Sequence, residues 1–360
     1  MRWLKHISLV LVVLFILALI TAFVLVKGFN TYWYSPLKSL SAEQVISVEP
    51  GTGFGQLAAR LHSQGIWRWP RVTSWWLRVN KPDFVLKAGE FLLPANATPA
   101  QIIDILDRGV AIQYKVTLIE GDNARQMLAR LTANEKHKLS HATSPIDLNS
   151  LLSEQARAKM VDVPANVAAM AEGWFLPDTY FYSDGDSLES LLLRAHQAML
   201  SALEEEWAAR EEGLPYQSAY QALVMASLIE KETGVGYERP QIAGVFVRRL
   251  QKRMRLQTDP TVIYGMGERY TGNLRRADLK RDTLYNTYTR HGLPPTPIAM
   301  PGRASIHAAL HPLKGSSLYF VAKGDGSHYF STTLEEHQAA VKKYQLNRRA
   351  DYRSAPAAGH

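Results

Sequence analysis

One stretch without a single charged side chain, residues 220–229, constrains the fold more than any other part of the chain. It reads Tyr-Gln-Ala-Leu-Val-Met-Ala-Ser-Leu-Ile, which contains good helix formers and neither Gly nor Pro. A helix that is apolar on every side is buried in the middle of a domain. The sequence therefore predicts a central, buried helix that ends near Gly234.

A carboxylate follows directly at the end of this helix. Glu230 comes four residues after Ala226 and seven after Leu223, so it lies on a face that the helix buries. Loss of hydration there would raise its pKa towards the range of a general acid. Glu232 lies about 200° further around the helix and cannot share that position. A second interpretation of the same residues is a structural carboxylate paired with Arg239 or another base.

Length, charge and composition limit the class of protein. A chain of 360 residues is long enough for two domains with their own cores. The net charge of +8 suits an anionic surface or polymer, such as lipid head groups or cell wall. The basic residues are spread out, which argues against nucleic acid as a partner. The absence of cysteine excludes disulfides, thiol nucleophiles and cysteine-based zinc sites.

The amino terminus has the pattern of a membrane anchor. Residues 1–6 are short and basic, and residues 7–26 are uncharged and mostly apolar, which is long enough for a membrane-spanning helix. The apolar run exceeds that of a signal peptide and lacks a small-x-small cleavage site, so we expect an uncleaved single-pass anchor. Arg2 and Lys5 predict a cytoplasmic amino terminus, with the rest of the chain across the membrane. Residues 27–43 are predicted to be a linker.

Residues 44–110 are predicted to form a small separate module. Its strands and helices are expected in the order β-α-α-β, followed by a capped helix that Gly109 ends, over residues 45–48, 54–63, 70–79, 89–93 and 98–106. This order resembles the LysM-like modules that hold N-acetylated glycans. The tryptophans of the module would either stack on sugar faces or fill its core, namely Trp67, Trp69, Trp75 and Trp76.

Residues 111–346 are predicted to form a larger mixed domain, so the fold class is α+β with an amino-terminal transmembrane helix. A polar surface loop is expected over residues 133–145 and a rigid aromatic loop over residues 172–182, with Glu172 and Asp178 as polar members. A hairpin and a last helix are expected near the end, at residues 318–322, 328–331 and 334–344. The tail, residues 347–360, is expected to be disordered.

Three further segments, residues 256–264, 285–288 and 292–298, combine Pro and Gly with Gln, Asp, Asn, Thr and Tyr. They are predicted to be stiff loops that hold donors and acceptors in place. Planar polar side chains and aromatic faces are what a sugar site needs. From the residues alone this is a cleft for an unidentified ligand.

Together these segments resemble the endolytic murein transglycosylase family, the YceG-like proteins. The resemblance is carried by ordered motifs: Glu172-Gly-Trp-Phe, Pro177-Asp-Thr-Tyr, Glu230-Lys-Glu-Thr, Leu256-Gln-Thr-Asp-Pro-Thr, Tyr285-Asn-Thr-Tyr, Gly292-Leu-Pro-Pro and Pro301-Gly302. The chain departs from the family pattern at Arg248, where Asn is common, and at Arg253, where Gly is frequent.

The resemblance implies cleavage within the glycan strands of peptidoglycan, on the periplasmic side of the bacterial inner membrane. The catalytic glutamate of the family aligns with Glu230, which would act as acid and then as base and leave a 1,6-anhydro-N-acetylmuramic acid end. Five residues would line the glycan subsites, namely Gln257, Asp259, Tyr264, Asn286 and Tyr288. Peptidoglycan synthases are expected as partners. No cofactor is implied.

Other functions remain open at this stage. Glu230 could instead activate water in a glycan hydrolase, or the chain could be a non-catalytic, membrane-tethered glycan-binding scaffold. His307 and His311 have a spacing that can bind zinc, but no Glu follows the first and Pro312 ends the helix, so we predict no metal site. Ser227 lacks the surroundings of a serine nucleophile.

Overall fold

The computed structural model describes residues 2–133, 139, 146–160, 163–164, 167 and 171–346. The chain divides into two compact units. Unit 1 contains residues 1–114 and 182–186, and unit 2 contains residues 115–181 and 187–360. The predicted tail and most of the predicted loop at 133–145 lie outside the described residues.

Unit 1 has the predicted β-α-α-β order behind a long amino-terminal helix. Its elements are α1 Arg2–Trp33, β1 Gln44–Val48, α2 Phe54–Ser63, α3 Pro70–Asn80, β2 Gly89–Leu93 and α4 Pro99–Arg108. β1 and β2 pair in an antiparallel ladder that runs from Gln44 opposite Leu93 to Val48 opposite Gly89. In the described residues, one helical stretch is long and apolar enough to cross a membrane, Leu9–Trp33.

The predicted linker is part of the core of unit 1. Trp33, Leu37 and Leu40 are buried together with side chains from α2, β2 and α4. The ring of Trp33 lies 4.4 Å from that of Trp76, and the Leu37 N–H donates to the Ala97 carbonyl at 3.2 Å. The linker prediction is therefore wrong for this segment, because its apolar side chains are spaced to reach the core rather than to stay solvated.

The four tryptophans of unit 1 have different environments. Trp67 is only 1% exposed, and its indole N–H donates to the Thr73 hydroxyl at 3.1 Å. It belongs to the core, so stacking on a sugar is excluded for this residue. Trp69 and Trp76 pack against the end of α1, whereas Trp75 is 64% exposed.

Unit 2 is mainly helical. Its elements are β3 Tyr114–Thr117, α5 Ala124–Ala133, a 3-10 turn Leu148–Leu151, α6 Glu154–Lys159, β4 Thr179–Tyr182, α7 Leu188–Ala208, α8 Ala219–Glu232, α9 Arg239–Gln251, α10 Asp259–Met266, α11 Arg276–Lys280, α12 Arg303–Leu310, β5 Tyr319–Ala322, β6 His328–Ser331 and α13 Leu334–Val341. β3 pairs with β4, and β5 with β6 as the predicted hairpin.

The predicted central helix is α8. It begins at Ser218, whose hydroxyl accepts the Gln221 N–H. Its side chains are buried from Ala222 to Ile229, because α7, α9, α10 and α12 all pack around it. The prediction of a helix buried on every side is confirmed, and Glu230 lies in its last turn.

Two predicted loops contain regular structure. Residues 259–264 of the expected stiff loop belong to α10, in which Pro260 lies in the first turn. Proline has no N–H to donate, and the first turn of a helix does not need one. Pro260 therefore starts a helix rather than preventing one. The aromatic segment at 172–182 likewise ends in strand β4.

Candidate active site

The carboxylate of Glu230 lies at the junction of α8 with the loop before α12. Its side chain is only 5% exposed. One oxygen accepts a hydrogen bond from Arg239 Nη2 at 3.3 Å, and the other accepts the Gly302 N–H at 3.0 Å. Glu230, at the end of the apolar helix α8, therefore lies in a polar position, where a cation and a backbone donor bind its carboxylate.

A second carboxylate shares the same cation. Glu120 lies at the end of the segment after β3, and Arg239 Nη2 is 3.4 Å from one of its oxygens. Glu120 is half exposed, with 47% of its side chain accessible. Partial burial, and then the charge of Glu230, raise the pKa of Glu120. Two carboxylates and one guanidinium thus form a cluster with a net negative charge.

Close packing at Gly302 permits this cluster. A Cβ atom built on Gly302 would lie 1.9 Å from Glu120 Oε1, so a larger residue would displace Glu120. The turn at Gly121 faces the same loop, because its N–H donates to the Met300 carbonyl at 3.0 Å. The Pro301-Gly302 motif therefore supplies both a donor for Glu230 and space for Glu120.

These surroundings differ from the expected apolar environment of Glu230. Ile229 and the rest of α8 are buried as predicted, but both carboxylate oxygens have polar partners. The pairing with Arg239 was the alternative interpretation of the sequence, and the structure contains it. An ion pair with a single cation does not exclude catalysis, because that cation is shared with Glu120.

A cleft of about 700 Å³ lies in unit 2, and Glu120, Glu230 and Arg239 are not among the residues that line it. The turn that begins at Glu120 continues along it, because Asn123 and Ala124 form part of its wall. Across the cleft are Tyr264 and Tyr285, whose rings lie 4.8 Å apart. Aromatic faces beside amide and carboxylate groups give the cleft the composition of a carbohydrate site.

Glu172 forms a buried part of the cleft wall. It is only 3% exposed and accepts the Ala124 N–H and the Tyr264 hydroxyl, each at 2.9 Å. Burial raises the pKa of Glu172 to about 7, although both hydrogen bonds and the charge of Lys231 act in the opposite direction. Glu172 is therefore a carboxyl group that titrates near neutral pH.

This shift predicts a pH dependence of stability. Because the folded pKa of Glu172 lies above its ordinary value of 4.5, its contribution is complete below pH 4.5 and is lost as pH rises through about 7. The resulting loss in the free energy of unfolding is on the order of 3 kcal/mol. We expect urea unfolding to show that Glu172→Gln flattens the decline in stability between these pH values. An unchanged profile in this variant would contradict the assignment, and the exposed Glu268→Gln serves as the control.

Glu232 faces a different part of the structure from Glu230, as its position on α8 predicted. It accepts a hydrogen bond from the Thr258 hydroxyl, and burial raises its pKa to about 7. The charge of Asp259 raises this pKa further, while that of Arg249 lowers it. Glu232 therefore anchors the segment before α10.

Three of the predicted subsite residues meet around that segment. Gln257 is exposed and has a positive φ of 52°, and its N–H donates to the Thr287 carbonyl at 3.2 Å. Tyr288 donates its hydroxyl to Asp259 Oδ1 at 2.6 Å. Strained backbone in a residue other than Gly is concentrated at functional sites. The arrangement favours a polar binding surface here.

Tyr264 and Asn286 have other surroundings. Tyr264 lines the cleft and contacts Glu172. Asn286 is 0% exposed, and its amide donates to the backbone carbonyls of Asp278, Leu279 and Arg281. It holds a loop in place and presents no accessible atom to a glycan, which sequence spacing could not reveal.

The two histidines of α12 acquire a third neighbour, Glu206 from α7. The possible ligand atoms of Glu206, His307 and His311 lie within 4.8 Å of one another. However, Arg303 Nε donates to Glu206 at 3.1 Å, and His311 Nε2 is 2.9 Å from the Ala209 carbonyl. Because these side chains already have partners within the protein, we interpret the cluster as a structural link between α7 and α12.

Both departures from the family pattern have local explanations. Arg248 donates from Nε to the Ser317 carbonyl at 2.8 Å and from Nη1 to the Leu313 carbonyl at 3.0 Å. Arg253 adopts a φ of 52°, a backbone conformation that favours Gly. Neither residue contacts Glu230 in the described structure.

Comparison with known proteins places the chain in a family. The sequence pattern of the YceG-like family matches residues 46–343. The chain is 32% identical to the endolytic murein transglycosylase of Bacillus subtilis strain 168, over 83% of this chain and 84% of the relative. It is 26% identical to the endolytic murein transglycosylase of Streptococcus pneumoniae strain D39, over 86% of this chain but 60% of that relative.

A solved structure agrees with these sequence matches. The crystal structure of a YceG-like protein of Listeria monocytogenes superposes with a TM-score of 0.51 and 29% sequence identity. The match covers 83% of this chain and 99% of the Listeria chain. The sequence matches, with which the fold agrees, thus define a protein of the murein transglycosylase type. The chain belongs to the YceG-like family.

Proposed function

We propose that this chain is an endolytic peptidoglycan lytic transglycosylase with Glu230 as its single acid and base. The observation that carries the proposal is the position of Glu230, held by Arg239 and the Gly302 N–H at the end of the buried helix α8. The names of the curated relatives support the same reaction and substrate.

The reaction needs one carboxyl group that changes roles. Protonated Glu230 donates its proton to the glycosidic oxygen between N-acetylmuramic acid and N-acetylglucosamine. The bond from that oxygen to C1 of the muramic acid breaks. The resulting carboxylate then accepts the proton of the muramic acid C6 hydroxyl, whose oxygen bonds to C1. A 1,6-anhydro ring closes, and no water is consumed. Most glycosidases instead use two carboxyl groups that flank the bond.

The neighbours of Glu230 suit both steps. Arg239 and the Gly302 N–H stabilise the carboxylate that forms when the proton leaves. Glu120 is the second carboxyl group on Arg239, and partial burial and then the charge of Glu230 raise the pKa of Glu120. A glycan that covers the half-exposed Glu120 would strengthen this effect by removing water.

The cleft offers places for the sugar rings on either side of the broken bond. Tyr264 and Tyr285 supply aromatic faces, and Asn123 supplies an amide. Gln257, Asp259 and Tyr288 form the second polar surface, close to Glu232 at the end of α8. We infer that this surface contacts the glycan at a greater distance from Glu230.

In this proposal an amino-terminal anchor holds the catalytic unit at the membrane surface. Leu9–Trp33 has the length and composition of a membrane span, and the positive-inside rule assigns residues 1–6 to the cytoplasm. The catalytic unit would then work in the periplasm, close to newly made strands. Glycan binding by the β-α-α-β module and contact with peptidoglycan synthases are further parts of this proposal. Longer glycan strands in cells that lack the protein would support the synthase connection.

The length distribution of digested glycan strands tests the proposed function. We expect the full chain to convert long purified strands into fragments of intermediate length, because the proposed cleavage is internal. Release of disaccharides alone would indicate attack from strand ends and would contradict endolytic cleavage. Binding without any shortening would instead identify a non-catalytic scaffold.

A further inference from the structure

Helix α3 in unit 1 exposes a face that is both basic and apolar. Arg71, Val72, Trp75, Arg78 and Val79 recur at helical spacing and are all exposed. Trp75 is 64% exposed and Val79 is 59% exposed, although both are large apolar side chains. The helix has no acidic residue.

The segment just before α3 contacts the candidate membrane span. The ring of Trp69, just before α3, lies 6.1 Å from Phe29 and 5.2 Å from Tyr32. The Arg68 N–H also donates to the Tyr32 hydroxyl at 3.1 Å. Phe29 and Tyr32 belong to the last two turns of the candidate span Leu9–Trp33. Because these rings contact the carboxyl end of the candidate span, α3 begins beside that end.

We propose that the exposed face of α3 binds anionic phospholipid head groups on the outer surface of the membrane. The guanidinium groups of Arg71 and Arg78 suit lipid phosphates. An exposed Trp between two Val side chains suits the apolar part of the interface. The inference rests on the proposed anchor but not on the proposed cleavage. The exposed face of α3 holds unit 1 against the membrane as a second contact besides α1.

A single introduced cysteine can test this contact, because the chain has none of its own. Val79→Cys in the full chain is labelled with an environment-sensitive fluorophore and placed in nanodiscs of phosphatidylglycerol or of phosphatidylcholine. Blue-shifted emission and quenching by nitroxide lipids report contact with the bilayer. Phe15→Cys, labelled in the same way, reports whether α1 spans the membrane.

We expect the Val79 label to be quenched by nitroxide lipid in phosphatidylglycerol and to become solvent-exposed in phosphatidylcholine. Arg71→Gln with Arg78→Gln should reduce contact in phosphatidylglycerol by about five-fold per arginine. The same charge loss in unit 2, Arg269→Gln with Arg276→Gln, should leave the contact unchanged.

Four results would overturn the inference. The Phe15 label could be quenched while the Val79 label stays in solvent. This result would show that α1 spans the membrane and that the second contact is absent. The Val79 label could respond equally to both lipids, which would exclude recognition of anionic head groups. Protection of the label by added glycan strands, without a response to lipid, would assign this face to glycan instead. A solvent-exposed Phe15 label would refute the anchor itself.

Discussion

Glu230→Gln is expected to reduce cleavage of purified glycan strands by about 10³-fold or more, because one group supplies both the acid and the base. Gln keeps the shape of the side chain, and its one carbonyl oxygen can still accept from Arg239 or from the Gly302 N–H, while its amide nitrogen cannot replace the other acceptor. We therefore expect a folded variant that still binds glycan. Single-turnover release of fragments, followed by mass spectrometry, measures the loss.

A matched carboxylate separates catalysis from folding. Glu206 is also buried and also accepts from an arginine, Arg303, but it lies between α7 and α12. Glu206→Gln is expected to lower stability while turnover stays close to that of the unmodified chain. Equal turnover in Glu230→Gln and the unmodified chain would show that another residue is the acid.

Arg239→Met is expected to lower the free energy of unfolding by about 3 kcal/mol at neutral pH, because removal of the buried cation leaves its carboxylate partners unpaired. Only 15% of the Arg239 side chain is exposed, and it contacts both Glu120 and Glu230. Cleavage should also fall, because the carboxylate formed in the acid step loses its cation. Urea unfolding and single-turnover cleavage measure the two effects.

The pH dependence of the stability of Arg239→Met identifies the cause of its destabilisation. Without the cation, the pKa of Glu120 rises further, so the stability deficit should shrink as pH falls and grow as pH rises. The exposed Arg303→Met is the comparison, with a smaller expected loss of stability. A deficit in Arg239→Met that is the same at acidic and alkaline pH would indicate lost packing rather than unpaired charge.

Sequence patterns predicted the elements whose side chains have a clear period. The apolar run of α8 led to a buried helix with Glu230 in its last turn, and the strand-like segments 318–322 and 328–331 led to the hairpin. Pro260 misled the prediction, because the same residue can interrupt a helix or begin one. Sequence position alone could not decide between these.

Contacts between distant segments were beyond the reach of the sequence. Glu120 and Glu230 share Arg239 only because the turn at Gly121 packs against the Pro301-Gly302 loop. The sequence did contain one indication, a Glu-Gly pair directly after residues 112–119, which alternate between apolar and polar side chains as a strand does. Asn286 shows the opposite case, since a polar residue in a promising motif is buried and holds the backbone.

The chemistry of the new strand end tests the central claim most directly. Purified glycan strands are cleaved by the full chain in water enriched in the heavy isotope of oxygen, and the new ends are analysed by mass spectrometry. If the C6 hydroxyl attacks C1, each new end is a 1,6-anhydro ring without heavy oxygen. A reducing end that carries heavy oxygen would contradict the account and identify a hydrolase.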